Sequence, residues 1–245
     1  MVTVWSERLR ISAHDADMND VARPSAVQRL MQEAAVLEFY NCRPSVEELR
    51  RDYGMAYLVS RISMEIRKPL HAYEYVDAQS WACPSRFSTF IRCSQILRNG
   101  EVMARMHATW AMVDVNTRHL LRVEDAPMNF GSAEAFTDMP TRLRLPHDLS
   151  FETVGHRTVT YHDCDVNRHM NNTRYADMLC DYLDMDGKML TFLSLNYVHE
   201  AALGETVEIQ RAPREDGGWY FRTVKQNGEF GIEADVKLAD IAEMS

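Results

Sequence analysis

The feature that most constrains this fold is a repeat, because two octapeptides far apart in the chain match one another. Residues 14–21 are His-Asp-Ala-Asp-Met-Asn-Asp-Val, and residues 162–169 are His-Asp-Cys-Asp-Val-Asn-Arg-His. Two more matches follow in the same order, residues 62–66 with 193–197 and residues 98–101 with 226–229. Three ordered matches predict an internal duplication, so each half of the chain should build the same supersecondary unit.

Each copy is predicted to contain one long helix followed by antiparallel strands. With the octapeptides aligned, both copies carry apolar residues at the spacing i, i+3, i+4, i+7, i+8, which is typical of a helix with one buried face. The two stripes are Val27, Leu30, Met31, Ala34 and Ala35, and Tyr175, Met178, Leu179, Tyr182 and Leu183. Residues 62–66 and 193–197 alternate like strands, and the Asn-Gly pairs at 99–100 and 227–228 predict hairpins. The first copy has a longer connection between helix and strand, around residues 42–57.

These elements predict an α+β fold of two tandem units. A helix that covers one face of a curved antiparallel sheet buries its apolar stripe, and the strand-like runs 89–97 and 102–115 are long enough to wrap it. A short strand and a loop precede the helix in each copy. Residues 131–150, rich in Pro, Thr and charge, predict a linker with a boundary near Leu145. The copies are therefore assigned to residues 1–130 and 151–245.

Composition and cysteine content exclude several classes of protein. The chain has 245 residues, of which 46% are hydrophobic, enough to bury a sizeable core. It contains no run near the roughly 18 apolar residues of a membrane span, and residues 1–7 lack the basic start and apolar stretch of a secretory signal. Five cysteines without C-x-x-C spacing argue against a disulfide framework and a zinc site. These features predict a protein of the reducing cytoplasm.

The formal net charge of -9 disfavours nucleic acid as a partner, because phosphate binding needs a concentrated basic surface. Local groups of arginine and lysine could still meet an acidic partner. The competing interpretation is that they are scattered, solvated side chains. The candidates are Arg8 with Arg10, Arg61 with Arg67 and Lys68, and Arg142 with Arg144.

Comparison of the two copies separates structural residues from chemical ones. Asp17 and Asn19 of the first copy correspond to Asp165 and Asn167 of the second, so their shared role can be to cap backbone N–H groups and hold a turn. His169 corresponds to Val21, which shows that the fold accepts an apolar residue there. The imidazole therefore needs a reason other than folding.

A second ionisable residue occurs in the second copy alone. When the strand match is extended, residues 198–200 align with residues 67–69, and Glu200 falls opposite Pro69. A glutamate at the end of a strand is commonly just solvated, which is the competing interpretation. Together with His169 in the same copy, Glu200 becomes a candidate catalytic residue.

These residues resemble a known family. Residues 165–175 resemble the D-x-N-x-H-x-N-N-x-x-Y signature of the acyl-acyl carrier protein thioesterases. Residues 195–200 are similar to the strand in which that family keeps its catalytic Glu, and residues 32–35 to the helix of its first domain. The resemblance covers nearly the whole chain and implies a tandem double hotdog, in which a helix is wrapped by an antiparallel sheet and the unit is duplicated.

The resemblance implies a catalytic set of Asp165, Asn167, His169 and Glu200. Glu200 is predicted to be the general base, His169 and Asn167 to position water or thioester, and Asp165 to orient them. The division of labour between Glu200 and His169 stays open. Plant members commonly have a Cys directly after the Glu, whereas this chain has Ala201, which excludes a thiolate nucleophile at that position.

Substrate contacts are predicted on both copies. A helix beginning near Asn171 and Asn172 could supply backbone N–H groups to the developing oxyanion, although caps are the competing interpretation for this segment. The resemblance implies that the first copy contributes most of the acyl tunnel, and ordinary core packing is the alternative for each lining candidate. Those candidates are Met31, Ala35, Phe39, Tyr57 and Met64. The chemistry requires no metal or cofactor.

The implied reaction is hydrolysis of fatty acyl-acyl carrier protein to free fatty acid and carrier protein, which ends chain elongation in fatty acid biosynthesis. An acyl-CoA thioesterase on the same scaffold is the nearer alternative. A non-catalytic acyl-binding or carrier-docking module is the second, and the one-sided His169 and Glu200 argue against it. The expected partner is the acyl carrier protein, with no membrane span; preferred chain length and a homodimer are left open.

Overall fold

The computed structural model describes residues 4–128 and 132–244. Two predictions fall partly outside the described residues. These are residues 1–3, in the segment that lacks a secretory signal, and residue 131, where the linker is expected to begin. The helices are α1 Pro24–Asn41, α2 Val46–Asp52 and α3 Arg174–Cys180. The strands of the first copy are β1 Trp5–Arg10, β2 Met55–Ile66, β3 Tyr75–Arg86, β4 Thr89–Arg98, β5 Glu101–Asp114 and β6 Leu120–Leu121. Those of the second copy are β7 Glu152–Thr158, β8 Lys188–Tyr197, β9 Thr206–Pro213, β10 Trp219–Lys225 and β11 Phe230–Asp240.

The described strands form one antiparallel sheet, in the order β1-β3-β4-β5-β2-β8-β11-β10-β9-β7, with β6 beside β5. The order of the first five strands mirrors that of the last five, so the two copies are joined edge to edge. The predicted strand at residues 89–97 is β4, and that at 102–115 is β5, each correct to within one residue at either end. The Asn-Gly hairpins lie where predicted, between β4 and β5 and between β10 and β11.

The repeat meets itself at the centre of the sheet. Residues 62–66 matched 193–197 in sequence, and these same strands, β2 and β8, pair with one another. Ser63 matches Ser194 and also lies opposite it, with 3.1 Å between the two Oγ atoms. An aligned pair that is also a contacting pair is the signature of a two-fold axis between equivalent units. The structure therefore confirms the duplication predicted from sequence.

Helix α1 follows from its sequence. Pro24 occupies the first helical position, where its missing N–H costs nothing, and the predicted stripe of Val27, Leu30, Met31, Ala34 and Ala35 is buried throughout. Val27, Leu30 and Met31 join the main apolar core, which continues into the second copy. None of the helices within residues 4–128 and 132–244 is long and apolar enough to cross a membrane.

The prediction of a long helix in the second copy is wrong. Helix α3 has seven residues, and Tyr182 and Leu183 lie beyond it in tight turns in which their N–H groups donate to the carbonyls of residues 179 and 180. Both side chains still pack against the core. The apolar spacing therefore predicted correctly which side chains pack against the core. The helix ends early because Asp181, Asp184 and Gly187 favour turns.

The long connection of the first copy contains a helix that the sequence analysis missed. Helix α2 begins after Ser45, whose Oγ accepts from the N–H of Glu48, while the Glu48 carboxylate accepts from the N–H of Ser45. This capping box is visible in the sequence as Ser-x-x-Glu and could have predicted the helix. Leu49 is buried and anchors α2 to the rest of the first copy.

Residues 132–151 contain no helix or strand. They pack on the outer face of the sheet, away from α1, and Met139 and Leu143 are buried there. The indole N–H of Trp81 donates to the carbonyl of residue 134 at 3.0 Å, and Arg105 forms an ion pair with Asp138 at 2.9 Å. The segment is thus tied down along its length, and the domain boundaries themselves stay a prediction.

Candidate active site

The Asp-x-Asn turn is built the same way in both copies. Asp165 Oδ1 accepts from the N–H of Asn167 at 2.8 Å, and Asp17 Oδ1 accepts from the N–H of Asn19 at the same distance. Each turn closes a loop that precedes its copy's helix. A shared bond of this kind explains the retained aspartates as turn formers, and a further orienting role for Asp165 stays a prediction.

The two ionisable residues found in the second copy alone lie next to one another. His169 Nε2 is 3.4 Å from Glu200 Oε2, and the side chains are 22% and 51% exposed. The backbone brings them together. Residues 169 and 202 form an isolated antiparallel β-bridge, and the N–H of Met170 donates to the carbonyl of Ala201. The sequence analysis identified both residues, and the structure adds that their side chains lie side by side.

The first copy contributes two arginines to this site, and sequence analysis missed both. Arg50 of α2 directs a guanidinium N–H at Asn167 Oδ1, at 3.4 Å. Arg118, in the turn between β5 and β6, lies 3.6 Å from Glu200 Oε1. No local sequence signal marks these arginines, because only the association of the two copies brings them to the site. The site therefore lies at the seam between the copies.

The duplication also explains why the site is open on one side only. At the equivalent position of the first copy, the side-chain amide of Asn19 donates to the carbonyls of Met185 and Lys188, at 2.6 and 3.1 Å, and accepts from the N–H of Gly187. The short connection of the second copy thus seals that position. Opposite Asn167, the longer connection of the first copy carries α2 instead, and the amide is exposed.

Asn171 and Asn172 lie just before α3, which begins at Arg174. Asn171 Oδ1 accepts from the N–H and the hydroxyl of Thr173, at 2.9 and 2.7 Å. Asn172 Oδ1 accepts from the amides of Gln28 and Gln32 on α1, each at 3.0 Å. Both side chains therefore make structural bonds within and between the copies, and their contact with substrate stays a prediction.

The predicted lining residues lie between α1 and the inner face of the first-copy sheet. Met31, Ala35 and Met64 are buried in the core. Phe39 and Tyr57 form an edge-to-face pair with ring centroids 5.5 Å apart, and burial raises the pKa of Tyr57 to about 12. These side chains form an apolar interior in the first copy, and its use as an acyl tunnel stays a prediction.

Comparison with known proteins agrees with the geometry. Residues 3–129 match the acyl-ACP thioesterase N-terminal domain, and residues 148–240 match the acyl-ACP thioesterase C-terminal domain. The chain belongs to the acyl-ACP thioesterase family. It is 22% identical over 229 residues to oleoyl-acyl carrier protein thioesterase 2 of Arabidopsis thaliana, covering 83% of this chain and 61% of that protein. Palmitoyl-acyl carrier protein thioesterase of Gossypium hirsutum is 21% identical over an alignment of 263 positions, gaps included, which covers 98% of this chain and 62% of that protein.

The chain spans about three-fifths of the length of these two relatives. Solved structures of the family match it over nearly their full length. An acyl-ACP thioesterase from Bacteroides thetaiotaomicron superposes with a TM-score of 0.83 at 17% identity, covering 96% of this chain and 98% of that one. A 12:0-ACP thioesterase from Umbellularia californica superposes with a TM-score of 0.78 at 15% identity, covering 96% and 97%. These matches confirm the tandem double hotdog.

Proposed function

We propose that this chain hydrolyses the thioester of fatty acyl-acyl carrier protein to a free fatty acid and the carrier protein. One observation carries the proposal: His169 and Glu200 occur in one copy of the duplicated fold and lie 3.4 Å apart at the seam. Val21 and Pro69 occupy the matching positions of the first copy, so the fold itself does not require either group. Family membership supplies the substrate class.

The proposed reaction needs a base next to a bound water. Glu200 takes a proton as the water oxygen bonds to the thioester carbonyl carbon. The tetrahedral intermediate then collapses, the C–S bond breaks, and the thiolate of the carrier's arm takes up a proton. His169 and Asn167 position the water and the thioester, and Asp165 holds the turn that presents them. Asn171 and Asn172 are proposed to fix the end of the substrate nearest α3.

The acyl chain is proposed to enter the first copy. The interior between α1 and the first-copy sheet is apolar at Met31, Phe39, Tyr57 and Met64. The first copy carries no counterpart of His169 or Glu200, so its interior is free to hold the chain. The family relatives are named for oleoyl, palmitoyl and 12:0 substrates, and these names do not set the chain length used here.

Hydrolysis of matched thioesters tests the proposal. Purified protein is assayed against acyl carrier protein thioesters of graded chain length and against the same acyl groups on coenzyme A. We expect a higher kcat/KM with the carrier protein. Preference for coenzyme A would replace this proposal with an acyl-CoA thioesterase, and binding without turnover of either would favour an acyl-binding module. A cytoplasmic location stays a prediction from the sequence, which leaves a homodimer open.

A further inference from the structure

The interiors of the two copies are filled differently, although the copies share one topology. In the second copy, Leu195 pairs with Ala234 and Ala234 with Phe221, which is fully buried against the core. In the first copy the matching residues are Met64, Met106 and Ser94, paired in the same order. A serine in the first copy thus replaces an aromatic ring. The neighbouring inward position on the same strand is Trp219 in the second copy and Arg92 in the first.

Arg92 forms a buried ion pair with Glu38, which lies on the buried face of α1 three residues before its last residue, Asn41. The two residues are 6% and 4% exposed. Arg92 Nε also donates to Ser80 Oγ at 2.9 Å, and Ser94 Oγ donates to the same oxygen at 3.1 Å. Burying two charges costs free energy that apolar residues of similar volume would not. Because the second copy uses Trp219 at the position of Arg92, the fold does not need charge there.

The ion pair borders the apolar interior of the first copy, next to Phe39. Tyr57 contacts Phe39 at 5.5 Å and Phe90 at 5.0 Å between ring centroids, and the guanidinium of Arg92 lies 5.3 Å from the ring centre of Phe39. Phe90, Arg92 and Ser94 alternate along β4 and therefore face the same side of the sheet. Seen from Tyr57, the inward face of β4 is apolar at Phe90, polar at Arg92 and Ser94, and apolar again only at Ile96, which is packed into the core.

We propose that the Glu38–Arg92 ion pair ends the part of the first-copy interior that holds the acyl chain, which is lined by Tyr57, Phe39 and Phe90, and so sets the longest chain that the enzyme accepts. Met64, which lies level with Ser94 in the sheet, is then beyond the pair and packs the core. The inference rests on the proposed function, since it assigns a specificity role within the same acyl chamber. A chain that reaches the pair gains no apolar contact from further methylene groups, and displacing the pair would leave two buried charges uncompensated. Glu38 and Arg92 are specificity-determining residues and take no part in the chemistry.

The test replaces both charges together, as Glu38→Leu with Arg92→Met, because removing one alone would leave the other buried without its partner. Binding of free octanoic, dodecanoic and hexadecanoic acids is measured by calorimetry, and kcat/KM is measured with the same acyl groups on acyl carrier protein. We expect both fatty acid affinity and kcat/KM to shift toward longer chains. For each two-carbon step that the double variant newly accommodates, the ratio of its value to the wild-type value should rise roughly tenfold. An unchanged length preference in a folded double variant overturns the inference.

Two controls keep the result specific. The exposed ion pair between Arg122 and Glu124 is replaced in the same way, and its loss should leave the length preference unchanged. Ser94→Val keeps both charges and adds bulk beyond the pair, so it should also leave the preference unchanged. A shortened preference in Ser94→Val would show that the chain passes the pair, which overturns the inference even if the double variant fails to fold.

The two proposals fail in distinguishable ways. Wild-type protein that binds fatty acids without hydrolysing carrier thioesters would overturn the proposed function, and the binding series would still decide the role of the pair. Wild-type protein that binds none of the fatty acids would overturn the chamber and this inference with it. Turnover of carrier thioesters with no response to the double variant would overturn the inference alone.

Discussion

At the scale of single residues, the duplication acts as an internal control for function. Asp17 and Asp165 accept the same backbone hydrogen bond at the same distance, so this part of the motif follows from the turn they form. His169 and Glu200 have no such counterpart, and the structure places them in contact. The sequence could predict this pair because the first copy shows what the fold needs without them. It could not predict Arg50 or Arg118, whose proximity to the site depends on how the copies associate.

Replacement of either member of the one-sided pair should abolish most turnover without unfolding the protein. We expect His169→Ala and Glu200→Ala to lower kcat by about two to four orders of magnitude, the usual contribution of positioned acid–base groups. Melting temperatures should stay close to wild type, because Val21 and Pro69 serve at the matching positions. His162→Ala is the matched control, since both copies carry a histidine there. Near-normal kcat in either variant would remove that residue from the mechanism.

The two turn asparagines should respond in opposite ways. Asn19→Ala loses the bonds to residues 185, 187 and 188, and we expect it to lower the free energy of unfolding by about 1–3 kcal/mol with turnover per folded molecule unchanged. Asn167→Ala should lower turnover with little change in stability, because its amide is exposed. Chemical denaturation and steady-state kinetics on both variants check this. A loss of activity in Asn19→Ala at unchanged stability would assign the first copy a part in the chemistry.

At the scale of elements, periodicity predicted which residues are buried better than it predicted where helices end. The apolar stripe of the second copy is packed as expected, yet α3 stops at Cys180 because the acidic and glycine residues that follow form turns. Hairpins marked by Asn-Gly and the strand pair at the repeat centre were predictable, since each depends on local or repeated sequence. Helix α2 carries a local signal, its capping box, but the repeat does not reveal it because only one copy contains this helix.

The loop before α3 is tied to strand β7 by a buried carboxylate, which should make part of the stability pH-dependent. Burial alone would raise the pKa of Asp163, but hydrogen bonds from Thr160 and the ion pair with Arg157 outweigh it and lower this pKa below 3.8. Ionised Asp163 therefore stabilises the fold above the unfolded-state pKa, and its contribution is lost as the pH falls through the folded-state value.

Asp163→Asn should accordingly be less stable than wild type at neutral pH, by about 1–3 kcal/mol. The difference in free energy of unfolding between the two proteins should narrow as the pH falls below about 4. Urea denaturation of both proteins across this range measures it. Asp15→Asn is the matched control, because Asp15 caps the same turn in the first copy and is more exposed. A gap that stays constant with pH would contradict the assignment of the ionised carboxylate as the stabilising form.

At the scale of the whole molecule, the proposed carrier partner is acidic, so a chain of net charge -9 would need a locally basic face to dock it. We consider two pairs of arginines as such a face. Arg142 and Arg144 are exposed on either side of Leu143, whose carbonyl accepts from Asn196 on the outer face of the sheet. Arg50 and Arg118 border the candidate site instead. Lys68, also considered from the sequence, is already paired with Glu101 at 2.7 Å.

Salt and charge reversal distinguish specific docking from simple proximity. If an acidic carrier docks on the outer face, KM for carrier thioesters should rise with ionic strength. The reason is that salt screens the attraction between exposed charges, which reaches only about 8 Å at about 0.15 M salt. Arg142→Glu with Arg144→Glu should then raise KM at low salt and leave kcat nearly unchanged. Arg86→Glu is the matched control, because Arg86 is exposed at the end of β3 and belongs to none of the basic groups considered from the sequence. A KM that responds to salt but not to Arg142 and Arg144 would move the docking face to the rim formed by Arg50 and Arg118. A KM indifferent to salt and to every reversal, with preference for acyl-CoA, would remove the carrier protein as partner.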